Sequence, residues 1–207
     1  QDCWRFHQMK DPERLSVAAI ATTEQSSAAR STIARYAALS LTFALAMVIS
    51  AHVRIPLPFS PVPLTLQTFV VLMAGLCLGS MWGGLSQVQY LTLGLLGVPA
   101  FTGGPASLVG PTGGYLVGMV CAAVVAGAVY ARFRSTWGAL AACLAGHAII
   151  FAFGCAWLRV LTGQGALEVL AMGFFPFVPG LVLKTAAAVA LVRAPYTGTA
   201  IRTILQR

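Results

Sequence analysis

The sequence predicts an all-α membrane protein, a bundle of six transmembrane helices, on three observations. Of its 207 residues, 58% are hydrophobic and only 9% are charged, whereas soluble domains carry about 25% charged residues. Six apolar segments approach the roughly 20 residues that a helix needs to cross a bilayer. Basic residues also gather on one side of the resulting topology. These features exclude an ordinary soluble enzyme, a disordered tail and a disulfide-stapled secreted module.

The predicted spans follow one another between Tyr36 and Arg193 with short connections. The second and third are short, and only the turn at residues 79–83 separates them. The six predicted spans are residues 36–53, 64–80, 82–98, 112–131, 137–158 and 172–192.

Charge placement predicts that both termini are cytoplasmic. With the N-terminus inside, ten basic residues lie on the inner side and only Arg54 and Arg159 lie outside, which follows the positive-inside rule. The net charge of +8 is therefore spread over several inner loops, so we expect no nucleic-acid partner. The prediction is a multi-pass protein of the plasma (inner) membrane.

Three parts are expected along the chain. Residues 1–32 are predicted to be a cytoplasmic extension, in which 1–8 are not native and 11–32 form an amphipathic helix or a mobile tail. Residues 33–194 are the six-helix membrane domain, and 195–207 are a cytoplasmic tail.

Motifs for catalysis are missing. The glycine-rich segments lack the Lys-Ser/Thr of a phosphate loop, and the three histidines are too dispersed for a metal site. The predicted spans contain no Asp or Glu. We therefore expect no catalytic residue, no metal and no cofactor, and conclude that the chain is not an enzyme.

Lys184 is the most informative residue, because it lies nine residues before Arg193, about 13.5 Å along a helix. A lysine at mid-membrane costs about 2.5–3.5 kcal/mol on insertion scales, so it needs a partner or a water-filled cavity. The only nearby acidic residue is Glu168, in a predicted outer loop. We favour an anionic or strongly polar ligand over the alternative, a lysine that is neutral or bonded to backbone carbonyls and broken helix ends.

Two loops and one polar residue share the outer side with Lys184. Residues 56–63 contain four prolines and form either a lid over a cavity or a rigid connection. The loop of residues 99–115 contains five glycines and leads into the fourth span; it lets the backbone approach a ligand closely or simply starts a helix. Gln67, near the outer end of its span, is expected to face a pocket, more so than His147, Gln87 or Gln89.

Small residues recur every four positions through the first span and form a stripe that another helix can approach closely. Packing within the bundle and docking on a separate membrane protein are the two interpretations. The stripe consists of Ala34, Ala38, Thr42, Ala46 and Ser50.

Four motifs in this order resemble the BioY family, the biotin-binding S components of energy-coupling-factor (ECF) transporters. The most specific is Arg54-Ile-Pro-Leu-Pro-Phe-Ser-Pro-Val-Pro-Leu-Thr-Leu-Gln-Thr68. The others are residues 93–101, residues 110–115, and Phe177-Val-Pro-Gly180 followed by Lys184. The resemblance covers about residues 33–194.

The resemblance implies a six-helix bundle that captures biotin near its outer face and delivers it inward. Lys184 would bond a polar end of biotin, and the lid loop would include Pro58, Phe59 and Pro61. The small-residue stripe would dock on a transmembrane coupling subunit, with two cytoplasmic ATPases supplying energy. The other implied substrate-binding residues are Gln67, Tyr90, Thr112, Gly113, Tyr115 and Phe177.

One residue departs from the family pattern, in which Pro-Gly is commonly followed by Asp. Here the position is Leu181, which removes a hydrogen-bond acceptor that Gln67, Thr112 or Tyr90 would have to replace. The alternatives are an S component for another small vitamin, a membrane-embedded enzyme acting on lipid, and a structural assembly subunit.

Overall fold

The computed structural model describes residues 12–101 and 103–194, and within these the chain is almost entirely helical. The predicted 1–8 segment and the 195–207 tail lie outside the described residues. The helices are α1 (Pro12–His52), α2 (Gln67–Leu95), α3 (Gly113–Arg132), α4 (Thr136–Thr162), α5 (Ala166–Gly173) and α6 (Val178–Arg193), with 3₁₀ turns at Pro105–Leu108 and Phe175–Phe177.

The described residues include five helical segments that are long and apolar enough to cross a membrane. This confirms a multi-pass, all-helical protein, while six spans and cytoplasmic termini remain predictions. The segments begin and end close to predicted boundaries, as in α3 and α4. They are Ala29–His52, Gln67–Leu95, Gly113–Arg132, Thr136–Thr162 and Ala166–Arg193.

The chain reverses direction within α2, at Gly79. This glycine has φ 79° and ψ −176°, a conformation that only glycine adopts readily. Gln67 Nε2 donates to Tyr90 Oη at 2.7 Å, although 23 residues of straight helix would separate them by about 34 Å. Residues 67–78 and 80–95 therefore run antiparallel, where the sequence predicts its second and third spans.

One end of the bundle, which we call the close-packed half, is built from small residues. A methyl group added at Gly75 would lie 2.6 Å from the Ala123 carbonyl oxygen. Gly127 of α3 lies directly against the backbone of Gly79 and Ser80. Alanines dominate the surrounding core, which comprises Leu72, Leu76, Ala126, Ala139, Ala142, Cys143 and Ala188. Because these side chains are short, the helix backbones approach closely.

The opposite end, the aromatic half, contains the large side chains. The rings of Tyr90 and Phe101 meet edge to face at 5.4 Å, and those of Tyr115 and Phe151 at 6.2 Å. Phe177 lies 5.9 Å from Phe151. Rings of this size hold the helices apart, so a cavity forms in this half rather than in the close-packed one.

The proline-rich loop is a short antiparallel hairpin. Strand β1 (Arg54–Ile55) pairs with β2 (Leu64–Thr65), Arg54 opposite Thr65. Ser60 Oγ donates to the Met172 carbonyl oxygen at 2.7 Å. The hairpin is thereby tied to the C-terminal end of α5.

Candidate ligand cavity

A cavity of about 70 Å³ lies in the aromatic half, beneath the hairpin and between α2, α3, α4 and α6. Aromatic and aliphatic side chains make most of its wall, and a few polar groups interrupt them. Among the described residues, none that lines it is acidic.

Lys184 reaches this cavity from α6 and is half-buried. Its ammonium donates to the Thr65 carbonyl oxygen and, at 3.0 Å, to Thr68 Oγ1. Glu168 instead accepts from the Gly165 amide at 3.1 Å, so it is not the partner of Lys184. These contacts match the alternative in which the lysine bonds a backbone carbonyl. They use two of the three ammonium protons, so one proton remains for a ligand oxygen.

A hydrogen-bonded chain connects the hairpin to both segments of α2. Thr65 Oγ1 donates to Gln67 Oε1 at 3.3 Å, Gln67 Nε2 donates to Tyr90 Oη, and Tyr90 donates to the Ala100 carbonyl at 3.1 Å. Gln67 and Tyr90 are buried and line the cavity. The chain therefore fixes the orientation of the amide and the phenol on the wall.

Tyr115 forms the wall on the α3 side. Its hydroxyl donates to the Gly173 carbonyl at 2.8 Å, and its ring lies against Gly154 of α4 so closely that a methyl group there would collide with it. Gly154 thus sets how far the Tyr115 ring enters the cavity. Phe177 lines the same cavity.

The glycine-rich loop contributes only in part. Thr112 lines the cavity, and its hydroxyl donates to the Ser107 carbonyl at 3.1 Å. Gly113 is buried against Leu108 and Trp157 and lines a second, apolar groove on the other side of α3 and α4. The structure therefore does not bring Gly113 to the cavity, because it faces the opposite side of the helix start.

The predicted lid and stripe residues lie elsewhere. Pro58, Phe59 and Pro61 are exposed, and the cavity is lined instead by their neighbours Val62 and Pro63. Only the first part of the stripe on α1 faces outward: Ala34, Ala38 and Thr42 are exposed, whereas Ala46 is half-buried and Ser50 is buried.

His147 lies on the cavity wall, although the sequence favoured Gln67 over it as the residue that faces a pocket. The residue is 2% exposed, and its Nδ1 lies 3.0 Å from the Cys143 carbonyl oxygen and 3.4 Å from Thr185 Oγ1. Its position could have marked it as a site residue, because ionisable side chains inside membrane spans are rare and usually functional. The sequence could not give the rotation of α4 that turns this residue inward. Phe101 and Phe151 also line the cavity without having been predicted, whereas Leu181 lines it at the position where the family pattern has an acidic residue.

The arrangement suits the binding of a small ligand. Among the described residues, no three His, Cys, Asp or Glu side chains lie together where they could hold a metal ion. The wall offers apolar surface, a lysine and fixed polar groups, which together suit a small ligand with an apolar body and polar ends.

The model of the BioY family matches residues 21–200. The chain belongs to the BioY family. The biotin transporter BioY of Rhizobium etli is 34% identical over 175 residues, covering 77% of this chain and 93% of that protein. The biotin transporter BioY of Thermotoga maritima is 39% identical over 139 residues, covering 66% and 80%.

A solved structure agrees with this BioY assignment. The crystal structure of the S-component for biotin from an ECF-type ABC transporter superposes with a TM-score of 0.70 at 26% identity. It covers 84% of this chain and 92% of that one. The BioY-family chain therefore has the fold of a membrane S component.

Proposed function

We propose that this BioY-family chain is the biotin-binding subunit of an ECF-type transporter, which captures biotin at the outer face and passes it inward. The observation that carries the proposal is the cavity of the aromatic half. It combines Tyr90, Tyr115 and Phe177 with Lys184, and none of the described residues that line it is acidic. Biotin has an apolar ring and chain, a ureido group at one end and a carboxylate at the other. It therefore matches both the apolar and the polar parts of the cavity wall.

The same proposal includes the topology and the energy source. Residues 67–78 and 80–95 would each cross much of the bilayer, giving six spans in the plasma membrane with both termini cytoplasmic. The chain would act as a binding protein and not as an enzyme, with no cofactor of its own. A transmembrane coupling subunit and two cytoplasmic ATPases would supply the energy.

The partner surface would be the outward face of α1. Only 17% of its span is buried, the same share as in Ala166–Arg193 and less than the 50% of the span formed by α3. Ala34, Ala38 and Thr42 lie on the exposed part. Small side chains there would let a helix of the coupling subunit approach the backbone closely.

One observation favours a second candidate, an S component for a different small vitamin. Leu181 lines the cavity where the family pattern places an acidic residue. A leucine cannot accept a hydrogen bond from a ureido N–H, so the site could serve a ligand with another polar group.

Competition binding separates the two candidates. Purified chain would be equilibrated with labelled biotin and challenged with unlabelled biotin, thiamine, riboflavin or pantothenate. The biotin proposal expects displacement by biotin alone. Displacement by another vitamin at lower concentration than biotin, or an absence of saturable biotin binding by folded protein, would favour the alternative.

A further inference from the structure

The hydrogen-bonding groups around the cavity are mostly committed. The hydroxyls of Tyr90, Tyr115 and Thr112 each donate to a backbone carbonyl. Lys184 can only donate, and within the part of the chain that the structure describes no lining residue is a carboxylate. A ligand with N–H groups therefore finds few acceptors, apart from hydroxyl lone pairs, the Gln67 amide oxygen, which already accepts from Thr65, and one ring nitrogen.

That nitrogen is Nε2 of His147. Among the described residues, only this atom and Gln87 Oε1 are buried side-chain N or O atoms without a hydrogen-bond partner. Such groups are rare in native structures, and each calls for an explanation. Gln87 does not line the cavity, whereas the imidazole of His147 does.

The contacts of His147 define its tautomer. Nδ1 lies 3.0 Å from the Cys143 carbonyl oxygen, and a carbonyl can only accept, so Nδ1 carries the proton. In a neutral imidazole the other nitrogen then has a free lone pair. Nε2 is thus a hydrogen-bond acceptor held in a fixed ring orientation.

His147 also lies beside the position at which the chain departs from the family pattern. Lys184 and Thr185 follow Leu181 by three and four residues on α6, so each is its neighbour on the helix surface. Leu181 and Lys184 line the cavity, and Thr185 Oγ1 lies 3.4 Å from His147 Nδ1. The imidazole therefore borders the side of the cavity that lacks the acidic acceptor.

Building on the proposed function, we infer that His147 Nε2 accepts a hydrogen bond from an N–H of the bound ligand, a ureido N–H in the case of biotin. His147 is then a specificity-determining residue. A ligand without a donor at this point leaves a buried acceptor unpaired, which is a strong basis for rejecting it.

The binding test compares biotin with the two biotins that are methylated on one ureido nitrogen. His147→Phe keeps a ring of similar shape but removes the acceptor. His52→Phe is the matched control, because His52 makes the same bond to the carbonyl four residues earlier, at 2.9 Å, but is exposed. We expect His147→Phe to weaken biotin binding about tenfold and His52→Phe to leave it unchanged.

The analogues identify the hydrogen bond. Wild-type protein should bind one methylated biotin more weakly than biotin, and His147→Phe should largely remove that preference. Equal losses for biotin and both analogues, or no loss at all, would overturn the assignment. A folded wild-type protein that binds no biotin would contradict the proposed function itself, which is a distinguishable result.

A second measurement needs no variant. In protein labelled with ¹⁵N-histidine, the Nε2 resonance of His147 should move upfield when biotin binds and stay in place with the methylated analogue that cannot donate. The signal of His52 provides the internal reference. An unmoved His147 resonance at saturating biotin would overturn the assignment.

Discussion

The two halves of the bundle use opposite kinds of side chain. In the close-packed half, Gly75, Gly83 and Gly127 let backbones touch, and alanines fill the remaining space. In the aromatic half, rings separate the same helices and enclose buried polar groups. The cavity therefore depends on both halves. Close contact in one half fixes the relative positions of the helices, and the rings of the other half hold the same helices apart.

The largest effect is expected from Gly127→Leu. A side chain at this position would collide with the backbone at Gly79 and Ser80, where the chain reverses. Backbone cannot yield as a flexible side chain can, so we expect a loss of stability at the upper end of the usual range for overpacking, about 3 kcal/mol. Gel filtration and thermal unfolding in mild detergent would measure it.

The control for this variant is Gly165→Ala, whose methyl group would meet only the Glu168 carboxylate, at 3.7 Å. It should fold like the wild type. A well-folded Gly127→Leu protein would show that close packing of α3 against the chain reversal at Gly79 is not needed for the fold.

Gly154→Ala should impair the aromatic half while leaving the close-packed half intact. The new methyl group would push the Tyr115 ring into the cavity, and we expect biotin affinity to fall roughly tenfold. Equilibrium binding tests this, with Ala152→Leu as control, because Ala152 is exposed on the same helix. Unchanged affinity would mean that the ring does not shape the binding site.

Ala38→Leu should separate binding from transport. The added side chain lies on the exposed face of α1, so biotin binding should stay within about twofold, while uptake in cells that express the coupling proteins should fall severalfold. Val182→Leu, on the exposed face of α6, serves as control. Normal uptake by Ala38→Leu would remove this face from the partner surface.

The smallest effect is expected from Ser60→Ala, which removes the bond between the hairpin and Met172. One neutral hydrogen bond contributes about 1 kcal/mol, so biotin should dissociate about fivefold faster. A chase with unlabelled biotin measures the rate. An unchanged rate would show that the hairpin does not cover the site.

The sequence was most informative about the spans and about Lys184. Long apolar segments define helices, and a lysine in mid-membrane requires polar surroundings. It was less informative about details that packing decides. The rotation of α4 turns His147 inward, and the start of α3 turns Gly113 away from the cavity.

The hairpin illustrates the same limit. The prolines identified this segment as a stiff loop, but proline has no backbone N–H that could donate a hydrogen bond to fix the loop on the bundle. The contacts that fix the hairpin come from Ser60 and from the β1–β2 pair, while Pro58 and Pro61 are exposed. The motif therefore located the loop without identifying the residues that face the cavity.

The most direct test of the account is equilibrium binding of radiolabelled biotin to the purified protein, to Lys184→Met and to Arg159→Met. Arg159 is an exposed cation at the end of α4 and serves as the matched control. We predict saturable one-to-one binding by the wild type and by Arg159→Met, and a loss of at least about tenfold in Lys184→Met, because a hydrogen bond to a charged group contributes about 1.5–3 kcal/mol. Full affinity in folded Lys184→Met, or no saturable binding by the folded wild type, would contradict the assignment of this cavity as the biotin site.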